Sequence, residues 1–96
     1  DDYRESPALR VIEELEKTGA SVSFYDPYIP QYKQHGKLHR GETALTAELL
    51  QHADLVVVTA AHTNIDYDFV QRHAQAVFDT KNVMKEVKER NNIEVL

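Results

Sequence analysis

Apolar residues recur at helical spacing early in the chain and later gather into short strand-like runs. Ala8, Leu9, Ile12 and Leu15 share one helical face, with Arg10, Glu13, Glu14 and Lys17 turned outward. Ser6 suits the N-cap of this helix, and Pro7 suits its first position, where a missing N–H costs nothing. Glu13 and Lys17 stand four apart in the favourable order for an ion pair. Gly19 supplies a left-handed stop. Residues 20–25 then predict a strand, closed by Pro27 and Pro30.

Residues 31–43 are polar, hold Gly36 and Gly41 with His35 and His39, and read as an exposed, mobile loop. Thr46 caps a short helix carrying Leu49 and Leu50. The run Asp54-Leu55-Val56-Val57-Val58-Thr59 is the clearest strand, and its unbroken apolar stretch predicts burial on both faces, as in a parallel sheet. Asp66 caps a further helix through Ala74. Residues 76–79 form the next strand, 83–89 a last helix and 93–96 a last strand.

Strands that alternate with helices predict a three-layer α/β domain, a doubly wound parallel sheet with helices on both faces and right-handed crossovers. A helix comes first where a strand is expected, so the first strand, central in the usual order, has no counterpart here. That gap leads to the expectation that the chain is part of a longer protein.

The chain of 96 residues is the size of one domain, and its 42% hydrophobic content is enough for a core. A net charge of -5 argues against nonspecific binding to nucleic acid or to an anionic membrane, though not against a small anionic ligand. Without cysteine there is no disulfide, thiolate nucleophile or cysteine-based zinc site. No apolar run approaches the roughly 20 residues of a membrane span and no signal-peptide pattern is visible, so a cytoplasmic location is expected.

Parallel sheets bind ligands at the carboxyl ends of their strands. Four stretches are expected there: Arg4 with Ser6, Tyr25-Asp26, Thr59 to His62, and Asp79-Thr80-Lys81-Asn82. Arg4 beside a helix start suits an anion such as phosphate, through forked donors and free backbone N–H groups. Equally, it could pair with Asp1, Asp2 or Glu5 at the surface. Lys81 could reach a phosphate or a sugar hydroxyl, or be an ordinary solvated lysine. Asp26 stands where a dinucleotide fold places its ribose-binding acid, but the chain has no Gly-x-Gly-x-x-Gly, so Asp26 is better read as capping the turn into Pro27. His35, His39, His52, His62 and His73 lack metal-site spacing, and no nucleophile elbow, P-loop or paired carboxylates occur. Nothing in the chain performs a reaction unaided.

Asp2-Tyr3-Arg4-Glu5-Ser6-Pro7-Ala8 resembles the Asp-x-Arg-x-Ser-Pro-Ala segment in the C-terminal domain of UDP-glucose/GDP-mannose dehydrogenases. Tyr25-Asp26-Pro27, the strand ending at Thr59 with His62 following, and Asp79-Thr80-Lys81-Asn82 match that family in order and spacing. The likeness runs nearly end to end and is weakest over residues 31–43. It implies a Rossmann-like domain that closes over a nucleotide-sugar in an NAD-dependent enzyme oxidising C6 from alcohol to carboxylate. It further implies that an N-terminal domain binds NAD, that a central helical region builds a homodimer, and that the catalytic cysteine lies outside this chain. By the same resemblance, Arg4 contacts the NAD pyrophosphate and Lys81 takes the place of an arginine that helps bind the UDP-sugar. A lysine there is a departure, because the two cations are not equivalent at a bidentate site. The family's substrate-binding lysine before the Asp-x-Arg motif is also absent. The wording of the first motif and of Tyr25-Asp26-Pro27-Tyr28 is nearest to bacterial enzymes acting on UDP-N-acetylhexosamines. The competing readings are a noncatalytic receiver-like module, which Val58-Thr59-Ala60-Ala61 leaves without its acceptor acid, and a plain dimerisation domain.

Overall fold

A computed structural model describes residues 7–34 and 36–96 of the chain. It divides into two compact units, residues 1–45 and 46–96. The second carries the α/β character: a three-stranded parallel sheet flanked by helices.

In the first unit, helix α1 (Pro7–Lys17) begins at the predicted proline, while its expected cap Ser6 lies outside the described residues. Gly19 terminates it at φ 93, in the left-handed region that glycine enters without a Cβ penalty. An ion pair on its surface joins Lys17 Nζ to Glu14 Oε1 at 3.4 Å, where the spacing predicted Glu13 as the partner of Lys17. One turn back, a neighbour at i−3 is as accessible as one at i−4.

The strand expected at 20–25 is not formed. Its period-2 pattern is present, with Val22 and Phe24 half-buried and Ser21 and Ser23 exposed. A strand also needs a hydrogen-bonded neighbour, and among the described residues this segment is tied by a single bond of that kind, from Glu42 N–H to the Phe24 carbonyl at 2.7 Å. The stretch read as a mobile loop instead folds into an antiparallel hairpin, β1 (Gln31–Gln34) with β2 (Lys37–Arg40), in the register Tyr32 to His39 and Gln34 to Lys37. Gly36, at φ 75, sits in its two-residue connection. Tyr32 is buried, stacked on the His39 ring at 4.8 Å and tilted against Phe24 at 5.3 Å. The hairpin closes on Phe24 because Gly41 leaves room: a Cβ there would stand 2.6 Å from the Phe24 ring.

In the second unit, Thr46 and Asp66 cap α2 (Ala47–His52) and α3 (Tyr67–His73), accepting from Leu49 N–H and Phe69 N–H. Strands β3 (Val56–Val58), β4 (Val77–Asp79) and β5 (Ile93–Val95) lie in that order and run parallel, pairing Val58 with Asp79 and Asp79 with Val95. The middle strand is β4, and its Val77 and Asp79 are fully enclosed. β3 is an edge strand among the described residues, so its valines are half-buried and not covered on both faces as its composition predicted. Leu50, Val70, Ala74, Met84 and Val87 complete this core.

The last predicted helix, 83–89, is a series of turns. Met84 and Val87 have the right spacing and are buried. The hydrogen bonds go elsewhere: Val87 N–H reaches the Met84 carbonyl three residues back, and Arg90 Nη1 donates to the carbonyls of Met84 and Val87. A guanidinium on those carbonyls competes with the bonds a continuing helix would place there.

Candidate functional site

Because β3 and β4 are parallel and in register, the residues following them emerge at one edge of the sheet. These are Thr59 to His62 after β3 and Thr80 to Asn82 after β4. Of the four stretches predicted for this edge, the structure brings these two together. Arg4, with Ser6, lies outside the described residues, and Asp26 belongs to the first unit.

The β4 end is built residue by residue. Asp79 is 0% exposed, yet it is fully hydrogen-bonded. Its Oδ1 accepts from Lys81 N–H at 3.1 Å and Val83 N–H at 3.2 Å, and its Oδ2 from Met84 N–H at 2.9 Å. Three convergent N–H donors make a dry carboxylate tolerable. Thr80 ties the turn sideways, since both its N–H and its Oγ1 donate to the Val58 carbonyl, at 3.1 and 2.6 Å. Asn82 then takes φ 54, a left-handed backbone that asparagine tolerates better than most residues. Between these anchors Lys81 is exposed.

Opposite, Tyr67 Oη accepts from His62 N–H at 3.2 Å, which joins the loop after β3 to the first turn of α3. Thr59, Ala60 and His62 are half-buried and Ala61 is exposed.

This arrangement limits how an anion is held. Three N–H groups of the turn, those of Lys81, Val83 and Met84, are taken by Asp79 and are not open to a phosphate. At α3, the Asp66 carboxylate occupies Phe69 N–H. The loop from Thr59 to Asp66 contains no glycine, so it offers no close backbone approach of the dinucleotide-binding kind. Lys81 stands at this edge as an exposed cation.

Asp26 behaves as the turn cap it was read to be, accepting from Tyr28 N–H at 2.8 Å and Ile29 N–H at 3.1 Å. Among the described residues no group of three or more His, Cys, Asp or Glu is placed to hold a metal ion. A shallow depression of about 380 Å³ in the second unit is lined by Asp68, Gln71, Arg72, Glu86, Lys88 and Glu89, and Lys81 does not line it. What the sequence reading missed was the scaffold beneath Lys81. The buried state of Asp79 and the link from Thr80 to β3 depend on strand pairing, and only the Asp-x-x-Asn spacing hinted at a tight turn.

The model of the UDP-glucose/GDP-mannose dehydrogenase family's UDP binding domain matches residues 1–86. The chain is 31% identical over 93 residues to the UDP-N-acetyl-D-mannosamine dehydrogenase of Methanococcus maripaludis, a match covering 88% of this chain and 20% of that protein. It thus spans about a fifth of the length of that curated relative. No solved structure matches.

Proposed function

The chain belongs to the UDP-glucose/GDP-mannose dehydrogenase family as its UDP-binding domain, and from that premise we propose that it is the substrate-closing part of an NAD-dependent nucleotide-sugar 6-dehydrogenase. The reaction takes the C6 alcohol of a UDP-sugar to a carboxylate, a four-electron oxidation in which water provides the second oxygen. The sugar is a UDP-N-acetylhexosamine, in line with the wording of Tyr25-Asp26-Pro27-Tyr28 and with the substrate in the relative's name. The rest of the same enzyme supplies the NAD-binding and central domains, the catalytic cysteine and the homodimer contact, in the cytoplasm. No described helix is long and apolar enough to cross a membrane.

One observation carries this reading: Lys81 is exposed at the carboxyl edge of a parallel sheet while its neighbours Asp79 and Thr80 are pinned. Lys81 binds the anionic, nucleotide side of the substrate as a point charge. An arginine there would give a flat two-pronged contact, so the lysine holds the ligand with less directional constraint. NAD does not fit a cradle of this chain's own, since the β3–α3 loop lacks glycine and three N–H groups of the β4 turn, those of Lys81, Val83 and Met84, are bound to Asp79. No step of the oxidation is assigned to this chain. The role of Arg4 is a single contact to the NAD pyrophosphate held by the neighbouring domain.

The test is NADH formation by the complete polypeptide with UDP-N-acetyl-D-mannosamine, UDP-N-acetyl-D-glucosamine and UDP-glucose in turn. Turnover of an acetylated sugar in preference to UDP-glucose is expected. Absence of NADH with every UDP-sugar would overturn the proposal.

A further inference from the structure

We infer that Asn82 is a positioning residue, whose left-handed backbone fixes the direction in which Lys81 leaves the β4 turn. The inference rests on the reading of Lys81 as a ligand contact and deepens it.

The turn leaves Lys81 little freedom on its N-terminal side. Asp79 is immobilised by three N–H donors, one of them from Lys81 itself, and Thr80 is bound twice to the Val58 carbonyl. On the C-terminal side the chain must return to the Asp79 carboxylate within two residues, so that Val83 N–H and Met84 N–H can donate to it. The reversal is made at Asn82, with φ 54, the single non-glycine residue in that region of backbone space among the described residues. Asn82 is exposed, and the hydrogen bonds of the turn use Asp79, Thr80 and the backbone, not its side chain. Its identity is therefore explained by its backbone. Asparagine enters the left-handed region several-fold more often than other non-glycine residues, and alanine there pushes the backbone toward negative φ. A change of φ at residue 82 rotates the peptide joining it to Lys81 and redirects the lysine, while Asp79 keeps the core closed beneath.

Calorimetric titration of UDP into the complete polypeptide, with melting temperature recorded for each variant, separates the possibilities. Asn82→Ala is expected to weaken UDP binding about fivefold. Asn82→Gly, which accepts positive φ, is expected to stay within about twofold of the unchanged protein. A purely structural role would shift melting in Asn82→Ala and leave affinity unchanged, and that result overturns the inference. Equal losses in both variants would make the amide a direct ligand contact and overturn it too. If Lys81→Ala weakens binding while Asn82→Ala does not, the positioning role fails and the site survives. If neither variant changes affinity, the assignment of Lys81 itself fails.

Discussion

Asp79 shows most sharply what one residue does in this chain. A carboxylate sealed from water holds three backbone N–H groups of the turn that follows its own strand. Removing it would strand those donors in a dry site, at a cost of about 1–3 kcal/mol for each group that cannot be rescued by water. Asp79→Ala is therefore expected to destabilise the second unit by about 3 kcal/mol or more in urea denaturation, and Asp79→Asn by less, because the amide oxygen can still accept. A loss below about 0.5 kcal/mol in Asp79→Ala would mean that the turn does not depend on the carboxylate. The sequence made the Asp-Thr-Lys-Asn stretch visible as a strand end with candidate chemistry. It could not separate the residue that builds the turn from the one exposed on it, because burial depends on β3 and β5 lying to either side.

Among the elements, those defined by their own residues were legible, and those defined by a partner were not. Helices α1, α2 and α3 carry their stop and cap signals in Gly19, Thr46 and Asp66, and the structure uses all three. Residues 20–25 have the alternation of a strand without its ladder, and the β1–β2 hairpin was hidden by its polar composition, since Tyr32 is its one buried residue among those described. Two predictions belong to this scale. Gly41→Ala would drive a Cβ to 2.6 Å from the Phe24 ring and is expected to cost about 1–3 kcal/mol, with Phe24→Leu in the same protein recovering part of the loss. Full stability of Gly41→Ala in thermal melting would contradict the close contact. The second prediction concerns Tyr32, whose phenol is pushed above its ordinary value of 10.0 by burial and then by Glu16 and Glu13. The folded state holds that proton more tightly than the unfolded chain. The contribution is thus intact below about pH 10 and declines as pH rises beyond it. Tyr32→Phe has no proton to lose, so between about pH 8 and about pH 11 its stability is expected to fall less than that of the unchanged protein. Parallel curves for the two proteins would rule out the shift.

For the molecule as a whole, order and spacing of motifs conveyed more than any single element did. The α/β class and the family were both readable from the chain, and the match over residues 1–86 bears the family out. The count of strands was not readable, because a ladder is a property of pairs. Nor was the β4–β5 connection, where Arg90 takes carbonyls that a helix would need. The central claim is that Lys81, exposed on a turn anchored by Asp79 and Thr80, holds the anionic end of a UDP-sugar. Its most direct test is calorimetric titration of UDP into the complete polypeptide, unchanged and as Lys81→Ala and Lys81→Arg. A charge-assisted contact predicts that affinity falls about tenfold or more in Lys81→Ala, with melting unchanged, and is retained in Lys81→Arg. Equal affinity for UDP in all three proteins would contradict the claim.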